Sequence, residues 1–259
     1  MSDFVLSAEG VDAPSAADRA PLLRWMIFTG ATVFAAVLLW RYGLLGLMVA
    51  SDRTYISSII AGLYVAASLH CLWRTIVIAR EGDAARRAAQ LIEAGGSSFA
   101  IVDGGVAIEG RRALPPGLIA DHIRDLTLKA EMQGARRLDQ TLLLRGLADR
   151  LRGSNAFGSF ASDTLMKLGL LGTIIGFIIM LAPIAGLDVS DRTLMKSSMG
   201  LMGDGMAVAM YTTLAGLVGS ILLKLQYYML DAATSRVFSA AVALTETRVV
   251  PTLERSHDR

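Results

Sequence analysis

Two apolar stretches in the second half of the chain restrict its fold more than any other feature: LGLLGTIIGFIIMLAPIAGL from Leu168 and MGLMGDGMAVAMYTTLAGLVGSILLKL from Met199. A bilayer core about 30 Å thick is crossed by roughly 20 apolar residues in helix. Lipid offers no solvent to an open backbone, so each stretch must close its hydrogen bonds within a helix. Residues 25–48 and 55–79 also qualify, beside the pair at 164–187 and 199–225. A hydrophobic fraction of 53% and a mean hydropathy of +0.50 agree with a chain inserted in lipid. The expected fold is an all-α integral membrane protein, with four transmembrane helices and long helical extensions outside the bilayer.

Charge placement gives the expected orientation, because Lys and Arg next to a span resist translocation. The stretch from Arg80 to Ser159 carries many bases, including Arg80, Arg86, Arg87, Arg111, Arg112, Arg145, Arg150 and Arg152. The connection after span one offers only Arg53, and that after span three only Arg192 and Lys196. Both termini and the middle segment are therefore expected in the cytoplasm. Residues 1–20 are polar and acidic, which argues against a removable signal peptide and for a retained first span. The expected organisation is a disordered cytoplasmic N-terminus over 1–22 and a membrane hairpin over 23–79. A cytoplasmic segment follows over 80–159, then two channel-lining spans over 160–229 and a cytoplasmic helix and tail over 230–259. Arg41, between Trp40 and Tyr42, reads as a snorkelling base that leaves LLGLMVA along the interface. His70 and Arg74 are expected at headgroup level or against a neighbouring helix.

Several classes of chemistry are disfavoured. Cys71 is the one cysteine and reads as a packing residue. His70, His122 and His257 are too dispersed for a ligand cluster, so neither metal nor cofactor is implied. Acids nearly balance bases in the middle segment, against a nucleic-acid surface. No GxxxxGK[ST], GxSxG or HExxH occurs, and GLMGDG at Gly200 opens a membrane helix rather than following a strand. In the middle segment, FAIV and VAI around Asp103-Gly104-Gly105 suggest a short hairpin. From Leu118 the spacing of Ile119, Ile123, Leu126 and Ala130, and then of Leu144, Leu147 and Leu151, predicts amphipathic helices. The fourth span is expected to continue as helix to about Arg248, before Pro251.

Small residues and hydroxyls single out spans three and four. Gly169, Gly172 and Gly176 recur along one side of span three, where they admit a neighbouring backbone, with Thr173 beside them. Span four carries Gly205, Thr212, Thr213, Gly216 and Gly219. A threonine in lipid commonly bonds back to a carbonyl of its own helix. Two of them on facing helices also suit an ion path, which needs polar groups without fixed charge.

At these residues the chain resembles the MotA/TolQ/ExbB family of proton-channel subunits. LGLLGT at 168–173 with Gly176 is similar to that family's signature in the helix before the last, and GMAVAMYTTLAGL from Gly205 to its final-helix signature. The resemblance implies a pentamer in the bacterial inner membrane whose last two helices line a channel. That channel would hold single-span partner proteins, each carrying an intramembrane aspartate that takes the proton. By position Thr173 and Thr213 would face it, with Thr212 as a neighbour, while Gly169, Gly172, Gly176, Gly205 and Gly216 pack the wall. Rotation of the ring about its partner, driven by the ion gradient, is what the family implies.

Spans three and four hold no acid, base or histidine at mid-depth, although proton relays in membranes normally use one; a partner-supplied carboxylate would fill that gap. Four spans resemble the flagellar-stator branch, and Val208 stands where ExbB-like and TolQ-like chains carry a glutamate. GDGMAVA with Asp204 is similar to an acidic glycine motif of stators. The middle segment nevertheless lacks their Arg and Glu pattern for engaging a rotor, and Met166-Lys167 stands where a proline often precedes the glycine motif. Outside this reading stand a small-solute transporter, for which Pro183 is the one helix breaker, and a non-conducting scaffold.

Overall fold

The computed structural model describes residues 20–51, 54–95, 99–102, 105–108, 112–133, 138–183 and 192–257. Residues 1–19, 103–104 and 184–191 lie outside these, and with them most of the expected N-terminal segment, the expected hairpin tip and the expected loop after span three.

Among the described residues, four helices are long and apolar enough to cross a membrane. Helix α1 (Ala20–Arg41) stops at the arginine that the sequence marks as an interface residue. Tyr42 N–H still reaches the Leu38 carbonyl at 3.0 Å, but Gly43 turns the chain with φ of 77°, a region favourable only to glycine. The short α2 (Leu44–Ser51) follows as a separate piece, built from the LLGLMVA stretch. Helix α3 (Ile56–Gly95) runs 40 residues, roughly 60 Å, twice what a bilayer core needs, so its second half lies beyond the apolar stretch.

That second half is the backbone of the middle segment, which carries one small sheet within an otherwise helical fold. Strands β1 (Phe99–Val102) and β2 (Gly105–Ile108) pair antiparallel, Phe99 with Ile108 and Val102 with Gly105, as the hairpin reading expects. A third strand, β3 (Arg112–Ala113), extends the sheet by pairing with Ala107 and Ile108. Two residues carry no period, so β3 leaves no mark in the hydrophobic pattern. The sheet closes a small core in which Val106, Ile108, Leu114, Ile119, Ile123, Leu126, Leu147 and Leu151 are buried. The last five are the apolar stripes of α4 (Leu118–Gln133) and α5 (Thr141–Arg152).

The helices of this core are held at their ends. Leu118 N–H, one of α4's orphan amides, donates to Glu81 Oε2 of α3 at 2.9 Å, and the carboxylate also complements the positive end of the helix dipole. Gly117 makes this possible, since a Cβ there would lie 3.0 Å from that oxygen and 3.3 Å from Ala84 Cβ. Asp139 Oδ1 accepts from the amide and hydroxyl of Thr141 at 2.9 and 2.6 Å, which fixes the start of α5 and holds the Asp139 carboxyl below its ordinary range.

Helices α6 (Ala156–Leu181) and α7 (Arg192–Leu244) form an antiparallel pair that carries the largest interhelical interface. At 53 residues, roughly 80 Å, α7 extends well past its apolar stretch. The expected stop before Pro251 is not observed. A π-turn over Thr245–Val249 leads into α8 (Val250–His257), which contains the proline. Proline has no amide and its ring crowds the carbonyl four residues back; widening the preceding turn lets the helix run on.

His122 is buried between α4 and α5, and burial pushes its imidazole below the ordinary value of 6.5 against weaker opposing effects of Gln140 and Asp125. The unfolded chain therefore takes up this proton at a higher pH than the folded one. Stability of the middle segment is flat above about pH 7 and falls as pH drops through 6.5 toward the lower folded value. Amide exchange of α4 and α5 measured from pH 7.5 to 5 is expected to show this loss, and H122Q is expected to flatten it.

Candidate functional site in the α6–α7 pair

The seam between α6 and α7 is made of absent side chains. A Cβ on Gly169 would stand 3.1 Å from Gly216 Cα, one on Gly172 2.2 Å from Thr212 Oγ1, and one on Gly176 2.6 Å from Ala209 N. The partners are equally tight: a Cβ on Gly205 would lie 2.5 Å from Met180 N and one on Gly216 2.7 Å from Gly169 Cα. Backbone thus meets backbone at Gly169, Gly176, Gly205 and Gly216, and the Thr212 side chain fills the space left by Gly172, a seam of three helical turns that only glycine permits. The register continues toward the chain's earlier end, where Ser162 donates to the Ser220 carbonyl at 3.1 Å. Beyond it the Tyr227 ring packs against Gly158, where a Cβ would come within 2.1 Å of a ring carbon.

This packing divides the residues of α7 between two faces one position apart. Gly205, Ala209, Thr212 and Gly216 occupy the seam, at steps of four, three and four. Met206, Met210, Thr213 and Leu217 follow the same steps and line a groove of about 830 Å³. Thr173, Gly176, Phe177 and Met180 of α6 form its other wall. Thr173 and Thr213 therefore come together on one groove. Thr212 does not: it is fully buried under Gly172 and bonds back to the Val208 carbonyl at 2.8 Å. Sequence reading passed over Tyr211 and the methionines of the groove, which the spacing of Met206 and Met210 from Thr213 already placed on its face.

The groove is electrostatically blank. No acid, base or histidine occurs from Leu168 to Pro183 or from Gly205 to Leu223. Thr173 Oγ1 donates to the Leu170 carbonyl at 2.5 Å, and Thr213 Oγ1 to the Ala209 carbonyl at 2.9 Å, with Gly169 O at 3.3 Å. The hydroxyls are thus turned into the helices, and the exposed lining is almost entirely carbon. Among the described residues no group of His, Cys, Asp and Glu is arranged to hold a metal ion.

Residues 119–241 match the model of the MotA/TolQ/ExbB proton channel family. The matched stretch begins in α4 and takes in α5, α6 and nearly all of α7, and with them the whole seam and groove. No curated protein and no solved structure matches the chain.

The seam generates a sharp contrast between glycines. G176A is expected to destabilise the chain by about 1–3 kcal/mol, because the added methyl meets backbone that cannot yield. G200A and G203A, where nothing lies within 4 Å, are expected to be neutral or slightly stabilising through helix propensity. Thermal unfolding of the detergent-solubilised chain separates the two outcomes.

Proposed function

We propose, for a chain whose residues 119–241 belong to the MotA/TolQ/ExbB proton channel family, that it is the channel-wall subunit of an ion-driven machine in the bacterial inner membrane. Five copies surround single-span partners whose intramembrane aspartate carries the ion. The middle segment over 80–159 and both termini face the cytoplasm, as the basic residues after span two suggest. The coupled ion is a proton.

The observation that supports this reading most is the groove itself, which joins Thr173 to Thr213 and holds no acid, base or histidine for a relay of its own. A carboxylate entering such a wall is costly while charged and far less so once protonated, so travel along it favours the neutral acid. Threonine suits the waiting position, because in a helix it divides between two χ1 rotamers. One ties the hydroxyl to its own carbonyl, as in the bonds of Thr173 and Thr213, and the other offers it to a visitor. Thr212 has no such role, being sealed within the seam.

The test is proton uptake into inverted membrane vesicles containing the chain together with its single-span partner. T173V/T213V is expected to preserve assembly, since valine keeps the shape, and to lower uptake at least about tenfold, the loss of one or two strong hydrogen bonds at the transfer step. T212S is expected to leave it within about twofold. Wild-type uptake by T173V/T213V with the partner present would sink the assignment.

A further inference from the structure

Helices α5 and α6 would be one continuous rod but for a joint at Gly153–Asn155. A 3₁₀ turn occupies these residues, with Ser154 out of helical conformation and Gly153 at φ of 46°. The joint stands between the middle segment and the groove wall, so any change of α6 reaches α5 through it. The charged group holding it comes from a third element. Arg74 of α3 is buried, and its Nη2 donates to the Leu151 carbonyl at 2.8 Å, the Arg152 carbonyl at 3.0 Å and Asn155 Oδ1 at 3.4 Å. Two of these are terminal carbonyls of α5, where a cation also meets the negative end of the helix dipole. Gly153 gives the guanidinium its seat, since a Cβ there would lie 2.8 Å from Nη2.

The grip extends to α7. Asn155 Nδ2 donates to Asp231 Oδ1 at 3.1 Å and lies 3.4 Å from Thr234 Oγ1. His70, one turn before Arg74 on α3, places Nε2 3.1 Å from Ser154 Oγ and Nδ1 2.7 Å from the Tyr227 hydroxyl. Two turns beyond Arg74, on the same face of α3, Glu81 holds the start of α4. Opposite charges of one helix therefore secure opposite dipole ends of the helix pair: the amino end of α4 and the carboxyl end of α5.

We propose that the Gly153–Asn155 joint is the coupling element between groove and middle segment, with Arg74 as the positioning residue that makes α3, α5 and the foot of α7 move as one body. Displacement of the groove helices is delivered to α4 and α5 through this grip rather than absorbed as bending at the joint. The inference rests on the channel reading only in taking the groove as the part that moves.

The test uses the full chain in lipid nanodiscs, carrying C71A and one pair of spin labels. The first pair joins α5 to α7 at exposed Leu142 and Tyr228, and the control pair joins α6 to α7 at exposed Phe160 and Ile221. R74Q is expected to broaden the α5–α7 distance distribution and to speed amide exchange of Thr141–Arg152 about tenfold, with the α6–α7 distribution unchanged. R74K keeps three donors on one nitrogen and is expected to restore the narrow distribution. An R74Q chain with an unaltered α5–α7 distribution overturns the proposal. So does one that broadens both pairs, which would make Arg74 a general core residue. Neither reading involves ion flux, so a failure here is separate from a failure of the threonine test.

Discussion

The contact on which this structure depends is the approach of two helix backbones along Gly169, Gly172 and Gly176 on one side and Gly205, Ala209, Thr212 and Gly216 on the other. In lipid there is no hydrophobic gain from bringing apolar helices together, and association relies on close packing. Glycine removes the side chain that would hold the axes apart, and the dispersion contacts of three turns replace it. The seam also orients both helices about their axes. Once it is formed, the neighbouring residue in each turn can only face the groove, so the groove's composition follows from packing one position away.

The same logic of fixed orientation governs the other end of α6. Tyr227 lies on Gly158 in the continuing register, and Ser162 meets Ser220. Polar groups become frequent where α3, α6 and α7 leave the apolar stretch, and they bond within their own helix or to another element. The buried Thr75 returns its hydroxyl to the Cys71 carbonyl at 2.8 Å, and Gln226 reaches Thr29 of α1 at 3.3 Å. Helix α1 touches the rest through few such points. Phe34, Val37 and Trp40 are exposed, as suits a helix that faces lipid.

Much of this was legible because membrane spans and amphipathic stripes have periods that a sequence displays. Ile119, Ile123, Leu126 and Ala130 recur at helical spacing and are all buried. What failed to show were features set by tertiary partners. The adjacent threonines Thr212 and Thr213 are chemically identical, and only the position of Gly172 separates a sealed hydroxyl from one on the groove. For Arg74 the sequence left headgroup level and a neighbouring helix both open, because its acceptors lie in α5 and the joint, nearly eighty positions away. Strand β3 was too short for periodicity, and Pro251 stops a helix only when the turn before it cannot widen.

The carbon lining of the groove has a consequence for the empty chain. With Thr173 and Thr213 hydroxyls folded back on their own carbonyls, a file of water entering between Phe177 and Met210 would find almost nothing to bond to, and each molecule would give up hydrogen bonds worth several kcal/mol. Such a surface dewets. On the chain by itself, the groove therefore offers neither water nor a bare ion a path.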